Sequence, residues 1–179
     1  MGMTVKLTRC SARRLAEQRP VLVELLRDVV ADGASVGFLH PLAEEVATAY
    51  WADVEAALAH GHRELLLAEK DGVLVGTAQL ELAQKPNARH RAEVTKLLVH
   101  PRARRQGVGR LLLHEVEQLA RSHGRTLLFL DTREGDVAEH LYRGEGYLQA
   151  GRIPNYVRSE TGRYEATILY YRLLEAASG

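Results

Sequence analysis

Short runs of alternating hydrophobic and polar positions punctuate the chain, separated by stretches in which apolar residues recur every three or four positions. Thr4 to Cys10 sets Val5 and Leu7 against Lys6 and Thr8, the alternation of a first strand. From Ala12 to Val30 the apolar residues Leu15, Val21, Val23, Leu25, Leu26, Val29 and Val30 recur as in a helix behind Ser11, a plausible N-cap, and Pro20 is expected to kink or divide that helix. A glycine-rich loop, ADGASVGFLHP, leads to a second helix with Pro41 near its start and Gly61 just past its end. Strands then dominate. Arg63 to Lys70 and Val73 to Ala83 flank Asp71-Gly72, a hairpin signal, and His90 to His100 reads as a fourth strand. Gly107 to His123 is helical, with Val108, Leu112, Val116 and Leu119 on one face. Arg125 to Thr132 is almost wholly apolar, which predicts a central strand covered on both faces. A short helix capped by Asp136 and two strands, YLQAGRIPNY and YEATILYYRLL, complete the chain.

This order (strand, two helices, three strands, helix, strand, helix, two strands) predicts an α/β (α+β) domain spanning residues 1–179. Its core is a mixed sheet of about seven strands with helices on both faces. Glu93 to Asp131 is the one clear strand–helix–strand unit, so its strands are expected to be parallel.

Composition narrows the function. With 24 basic and 23 acidic residues the net charge is +1, leaving no general field for nucleic acid or a membrane, so an electropositive site has to be local. A single cysteine, Cys10, excludes an internal disulfide, suits a reducing cytoplasm and reads as structural. No apolar run reaches the ~20 residues of a membrane span. The N-terminus has no secretory core, and Lys6 stands where a myristoylation signal at Gly2 would want Ser or Thr. The eight histidines are scattered without metal-ligand spacing, so no metal is expected, and His60 and His62 read as partners of helix-end carbonyls.

One local site stands out. The loop from Pro101 to Gly109 joins a strand to a helix N-terminus, where unpaired N–H groups and the helix dipole favour an anion. Gly107 and Gly109 would let backbone approach it, and Arg104 and Arg105 would add charge-assisted donors. A Walker loop is absent, Leu112 occupies the third glycine position of the dinucleotide fingerprint, and the loop lacks the aromatics of a nucleic-acid patch. Phosphate binding and a solvated charged turn remain the two readings of the loop itself.

The stretch VTKLLVHPRARRQGVGRLLL resembles the signature of the GCN5-related N-acetyltransferase (GNAT) family, in which Arg/Gln-x-x-Gly-x-Gly/Ala opens a helix. Downstream, AEHLYRGEGY resembles the family's tyrosine-bearing helix. The resemblance implies acetyl-CoA as cosubstrate, with its pyrophosphate on Arg104, Arg105, Gln106, Gly107, Val108, Gly109 and Arg110. Pantetheine would pair with Leu98, Val99 and His100 where the fourth strand bulges and parts from the fifth, with an oxyanion donor among the Leu98–Val99 amides. Tyr142 occupies the position of the acid that serves the departing thiolate, the alternative being a half-buried packing aromatic. Glu93 and Asp131 are the candidate general bases, against readings as an exposed strand residue and a turn residue.

GASVGF, AYW and the C-terminal IPNYVRSETGRYEATILYYRLL are similar to the tabtoxin-resistance type, which acts on an amino-acid-like β-lactam. Phe38, Tyr156, Arg158 and Tyr164 would line an acceptor pocket for an amine that also carries a carboxylate, the alternative being ordinary loop packing. The resemblance thus implies direct transfer, in a ternary complex, to a small-molecule amine, including an antibiotic. A peptide or protein amine and a non-catalytic acyl-CoA-binding module are the alternatives, and a homodimer through the C-terminal strands is implied by analogy.

Overall fold

The structure, a computed structural model, describes residues 4–175; Gly2 lies outside them. Its elements follow the expected order: β1 (Val5–Arg9), α1 (Ala12–Ala31), α2 (Glu44–Ala59), β2 (Arg63–Lys70), β3 (Val73–Leu82), β4 (Arg91–Val99), α3 (Val108–Ser122), β5 (Leu127–Arg133), α4 (Ala138–Gly144), β6 (Leu148–Arg158) and β7 (Tyr164–Leu173). The seven strands form one mixed sheet in the order β1-β2-β3-β4-β5-β7-β6, in which β4 and β5 are the parallel pair. No helix among the described residues is long and apolar enough to cross a membrane.

Each sheet face carries its own core. Leu65, Leu67, Leu74 and Leu98 pack under α1 and α2, whereas Leu66, Leu80, Val94, Leu128 and Leu130 pack under α3 and α4. Ser11 caps α1 by accepting the Arg14 N–H at 3.2 Å. The helix runs unbroken through Pro20, so the expected division does not occur. Pro20 and Ala16, whose carbonyl loses its partner, both lie on the exposed side, where water can replace the bond. Trp51, fully buried, ties α2 to α1 by donating its indole N–H to the Leu22 carbonyl at 3.0 Å. Asp71 and Gly72 both take positive φ, as the hairpin turn requires.

β5 departs from expectation. Leu128 and Leu130 are buried under α3, but Leu127 and Phe129 are half-buried and Asp131 is exposed. The layer of α1 and α2 covers the β1–β4 side of the sheet and leaves this face of β5 open.

The key irregularity lies in β4. Its pairing with β5 stops after three rungs, at Glu93↔Phe129, although both strands continue. On its other edge, two steps along β3 (Thr77 to Gln79) face three along β4 (Thr95 to Leu98), and Lys96 takes φ +46°. This bulge sits two residues before the expected Leu98–Val99. Gly76 permits it: a Cβ there would stand 2.7 Å from the Leu98 carbonyl oxygen and 3.1 Å from Leu112.

Gly76→Ala therefore forces backbone to move. It is expected to cost about 1–3 kcal/mol of stability, read as a fall of several degrees in Tm, whereas Gly151→Ala, at an open position, is the comparison expected to change little.

Candidate active site

β4 ends at the loop that the sequence singled out. The His100 N–H is donated to the Val75 carbonyl at 2.8 Å, and its ring lies 3.2 Å from Asp28 on α1. Pro101–Ala103 forms a 3-10 turn, after which Arg105 (φ +58°) and Gly107 (φ +81°) take left-handed backbone and bring the chain into α3. Gly107 is the N-cap of α3, so the first-turn amides of Val108, Gly109 and Arg110 are free of intrahelical partners. Its glycine requirement is conformational, since a Cβ there would meet nothing within 4 Å.

Gly109 answers a different demand from the expected one: a Cβ would press on Leu141 at 3.3 Å and Val99 at 3.7 Å. The helix start thus packs closely on α4 and β4, with Val108 buried beneath it. The arginines divide their roles. Arg104 donates to the Val99 carbonyl at 3.2 Å and pairs with Asp32, and Arg110 pairs with Glu145 at 2.6 Å. Gln106 bridges Lys70 and the Arg102 carbonyl. Arg102 and Arg105 are exposed and form no ion pair among the described residues, so they are the loop's uncommitted charges.

Where β4 and β5 part, polar side chains collect on the open face. Glu93 is half-buried, opposite Glu81 on β3 and beside Phe129 on β5. Burial pushes its carboxyl above the ordinary range, and the charges of Glu81 and Asp131 push the same way against Lys96 and Arg63. Asp131 lies two residues before the end of β5, exposed, and accepts the Thr167 hydroxyl at 2.7 Å. Of the two candidate bases, Glu93 is the desolvated one.

Behind Glu93 runs a polar chain. Glu81 pairs with Arg63, Arg63 donates to Gln79 at 2.8 Å, and Gln79 donates to the Tyr50 hydroxyl at 2.9 Å. Burial holds the Tyr50 hydroxyl up to about 12. The Tyr50 ring meets Phe38 edge-on at 5.3 Å, and the Lys96 ammonium lies 5.7 Å and 5.9 Å from the two ring centres. Phe38 is therefore placed beside Glu93's neighbourhood. Tyr156, Arg158 and Tyr164 are not: they sit exposed on the distal half of the β6–β7 hairpin, where Arg158 faces Tyr164.

Tyr142 is buried on α4, its ring centre 6.0 Å from those of Tyr147 and Tyr170. Burial, with Asp136 and Asp131 nearby, raises its hydroxyl well above the ordinary range, so it keeps its proton. Glu139 fixes α4 by accepting the Gly135 N–H at 2.7 Å, the Tyr170 hydroxyl at 2.5 Å and the Arg143 guanidinium at 2.9 Å. Of the two histidines read as partners of helix-end carbonyls, His60 lies 2.6 Å from the Ala56 carbonyl near the end of α2, whereas the His62 ring sits 5.9 Å from that of His60 and meets no carbonyl among the described residues; burial pushes the Cys10 thiol up to about 11.

Tyr50, Arg63, Gln79, Glu81 and Lys96 were not singled out from the sequence. Their signal was available in β3, where Thr77, Gln79 and Glu81 alternate with Ala78, Leu80 and Leu82 on a strand buried on both faces. A polar stripe in such a strand marks a lined cavity or a network.

The raised Glu93 carboxyl carries a stability consequence. The folded protein binds this proton more tightly than the unfolded chain, so Glu93 costs stability as pH rises through its folded value. Glu93→Gln is expected to be more stable than the parent at pH 8. The difference should vanish near pH 4, in paired urea titrations.

With this geometry in view, likeness to known proteins is informative. Residues 26–147 match the family model described as acetyltransferase (GNAT) family. An uncharacterized N-acetyltransferase in the hisH-hisA intergenic region of Azospirillum brasilense is 36% identical over 115 residues, 63% of this chain and 67% of that protein. Among solved structures, the ribosomal-protein-alanine N-acetyltransferase of Brucella melitensis superposes with a TM-score of 0.77 at 23% identity, covering 94% of this chain and 99% of that one. The yncA protein of Salmonella typhimurium, solved with its cofactor acetyl-CoA, gives 0.77 at 20% identity, covering 97% and 96%. The parted β4 and β5, the glycine loop opening α3 and the family match agree: the chain belongs to the acetyltransferase (GNAT) family and is an acetyltransferase.

Proposed function

We propose that the protein transfers the acetyl group of acetyl-CoA directly to the amine of a small molecule, in a ternary complex without an acyl-enzyme. The observation that carries this reading is the parting of β4 and β5 after Glu93, beside a helix start with three free amides. That arrangement suits a donor whose anionic end is held by the amides of Val108, Gly109 and Arg110 and by Arg105. Its extended arm would lie along β4 at Leu98 and Val99. The His100 N–H is already committed to Val75 and is not a further donor. The acetyl-CoA with which the yncA protein, a fold neighbour, was solved supports the same donor.

Glu93 is the base in this reading. An acceptor amine with a pKa near ~10 is protonated at neutral pH, and a half-buried carboxylate raised by desolvation is better matched to take its proton than an ordinary one. Asp131, across the parted strands, adds negative charge that favours an ammonium in the cleft. Tyr142 keeps its proton and hydrogen-bonds to the departing thiolate; its raised pKa suits it to donate a hydrogen bond and not to surrender the proton. Phe38 and Tyr50, packed edge-on beside Lys96, would wall the acceptor side, which favours a small amine over a peptide laid in an open groove.

Calorimetry is expected to show acetyl-CoA binding that Gly107→Glu abolishes, because the new side chain places negative charge on left-handed backbone at the amides. Thiol release in a screen of small amines, including β-lactam amino acids and N-terminal peptides, tests the acceptor. Release with peptides alone overturns the small-molecule reading, and binding with no release for any amine supports a non-catalytic acyl-CoA-binding module. In an active assay Glu93→Gln should lower kcat/KM by about 10²–10⁴ and remove the acid limb of its pH profile, a limb expected above the usual carboxylate range.

A further inference from the structure

Lys96 occupies an unusual position. It lies at the bulge of β4 with φ +46°, a conformation uncommon for a residue with a side chain. The buried Thr77 hydroxyl donates to its carbonyl at 3.3 Å. The ammonium lies against the faces of Phe38 and Tyr50, 3.4 Å from where a Cβ on Gly37 would stand. Three other half-buried cations nearby have carboxylate partners: Arg63 with Glu81, Arg14 with Glu69, Arg19 with Glu55. Among the described residues no carboxylate forms an ion pair with Lys96 within 4 Å, although Glu81, Asp131 and Glu93 are near enough to be felt.

A half-buried cation without a counter-ion is costly, and the cost is offset when a ligand brings the anion. Lys96 stands on the same open face as the two carboxylates that would receive an amine. The arrangement is therefore bipolar, with negative charge at Glu93 and Asp131 and positive charge at Lys96 under an aromatic wall. Burial, followed by the charge of Arg63, lowers the lysine's own pKa, which an arriving anion would reverse.

We infer that Lys96 determines acceptor specificity by receiving the carboxylate of a free amino acid whose amine faces Glu93 and Asp131. This rests on the acceptor side assigned above, and it separates free amino acids from the N-termini of peptides, in which that carboxylate has become an amide.

The test titrates the twenty protein amino acids, β-alanine, γ-aminobutyrate and the matching carboxamides into the protein by calorimetry, with and without saturating CoA. At least one acid is expected to bind ten-fold or more tightly than its carboxamide. Lys96→Met should bring that ratio close to one, Lys96→Arg should keep much of it, and the acetyl-CoA affinity of Lys96→Met should match the parent's. The inference is overturned if no amino acid binds, if acids and carboxamides bind alike, or if Lys96→Met weakens acetyl-CoA instead. A protein that fails to bind CoA defeats the donor assignment alone, because the comparison of acid with amide is also made without it.

Discussion

Everything at this site depends on a disagreement in length between β4 and its neighbours. β4 must stay hydrogen-bonded to β3 on one side and leave β5 on the other, and the extra residue at Lys96 lets it turn away without breaking the sheet. The turn needs a place for the displaced Leu98 carbonyl, and the absent side chain of Gly76 supplies it. Parting the strands exposes backbone edges inside a domain, a liability in most sheets. Here it is the opening into which the glycine loop, the acidic pair and the tyrosine helix all converge.

The electrostatics of the cleft work against stability. Glu93 and Lys96 are each held away from their ordinary ionisation chiefly by burial, and they do not meet as an ion pair. A protein selected for stability alone would pair them or expose them. The cost is supported by the two cores on either side of the sheet, where Leu65, Leu67, Leu128 and Leu130 are essentially inaccessible. Groups set apart in this way suit chemistry in which a proton must leave a strongly basic amine.

The architecture was legible because it is local. Period-two runs gave the strands, three-and-four spacing gave the helices, and Asp71-Gly72 set the first hairpin. The glycine loop was legible because Arg104 to Gly109 is contiguous. What the sequence hid is tertiary. Nothing in VTKLLV distinguishes a bulged strand from a straight one, since the reason lies at Gly76 on the neighbouring strand. The apolar run of β5 suggested cover on both faces, but the helix layer stops short of it. The surroundings of Lys96 were invisible for the same reason: Phe38 and Tyr50 come from a loop and a helix 58 and 46 residues upstream. Tyr156, Arg158 and Tyr164 looked like pocket residues by their chemistry, yet the hairpin carries them to an exposed edge.

The end of α1 carries one more consequence. Asp28 approaches His100 and Asp32 pairs with Arg104, so two carboxylates from one helix end grip the glycine loop. Asp32 also begins the segment that carries Gly37 and Phe38 over Lys96. The Arg104–Asp32 pair thus ties the glycine loop to the chain that leads to Phe38. Where two sites are joined by one such pair, any effect that a ligand at the first has on the second is returned in equal measure.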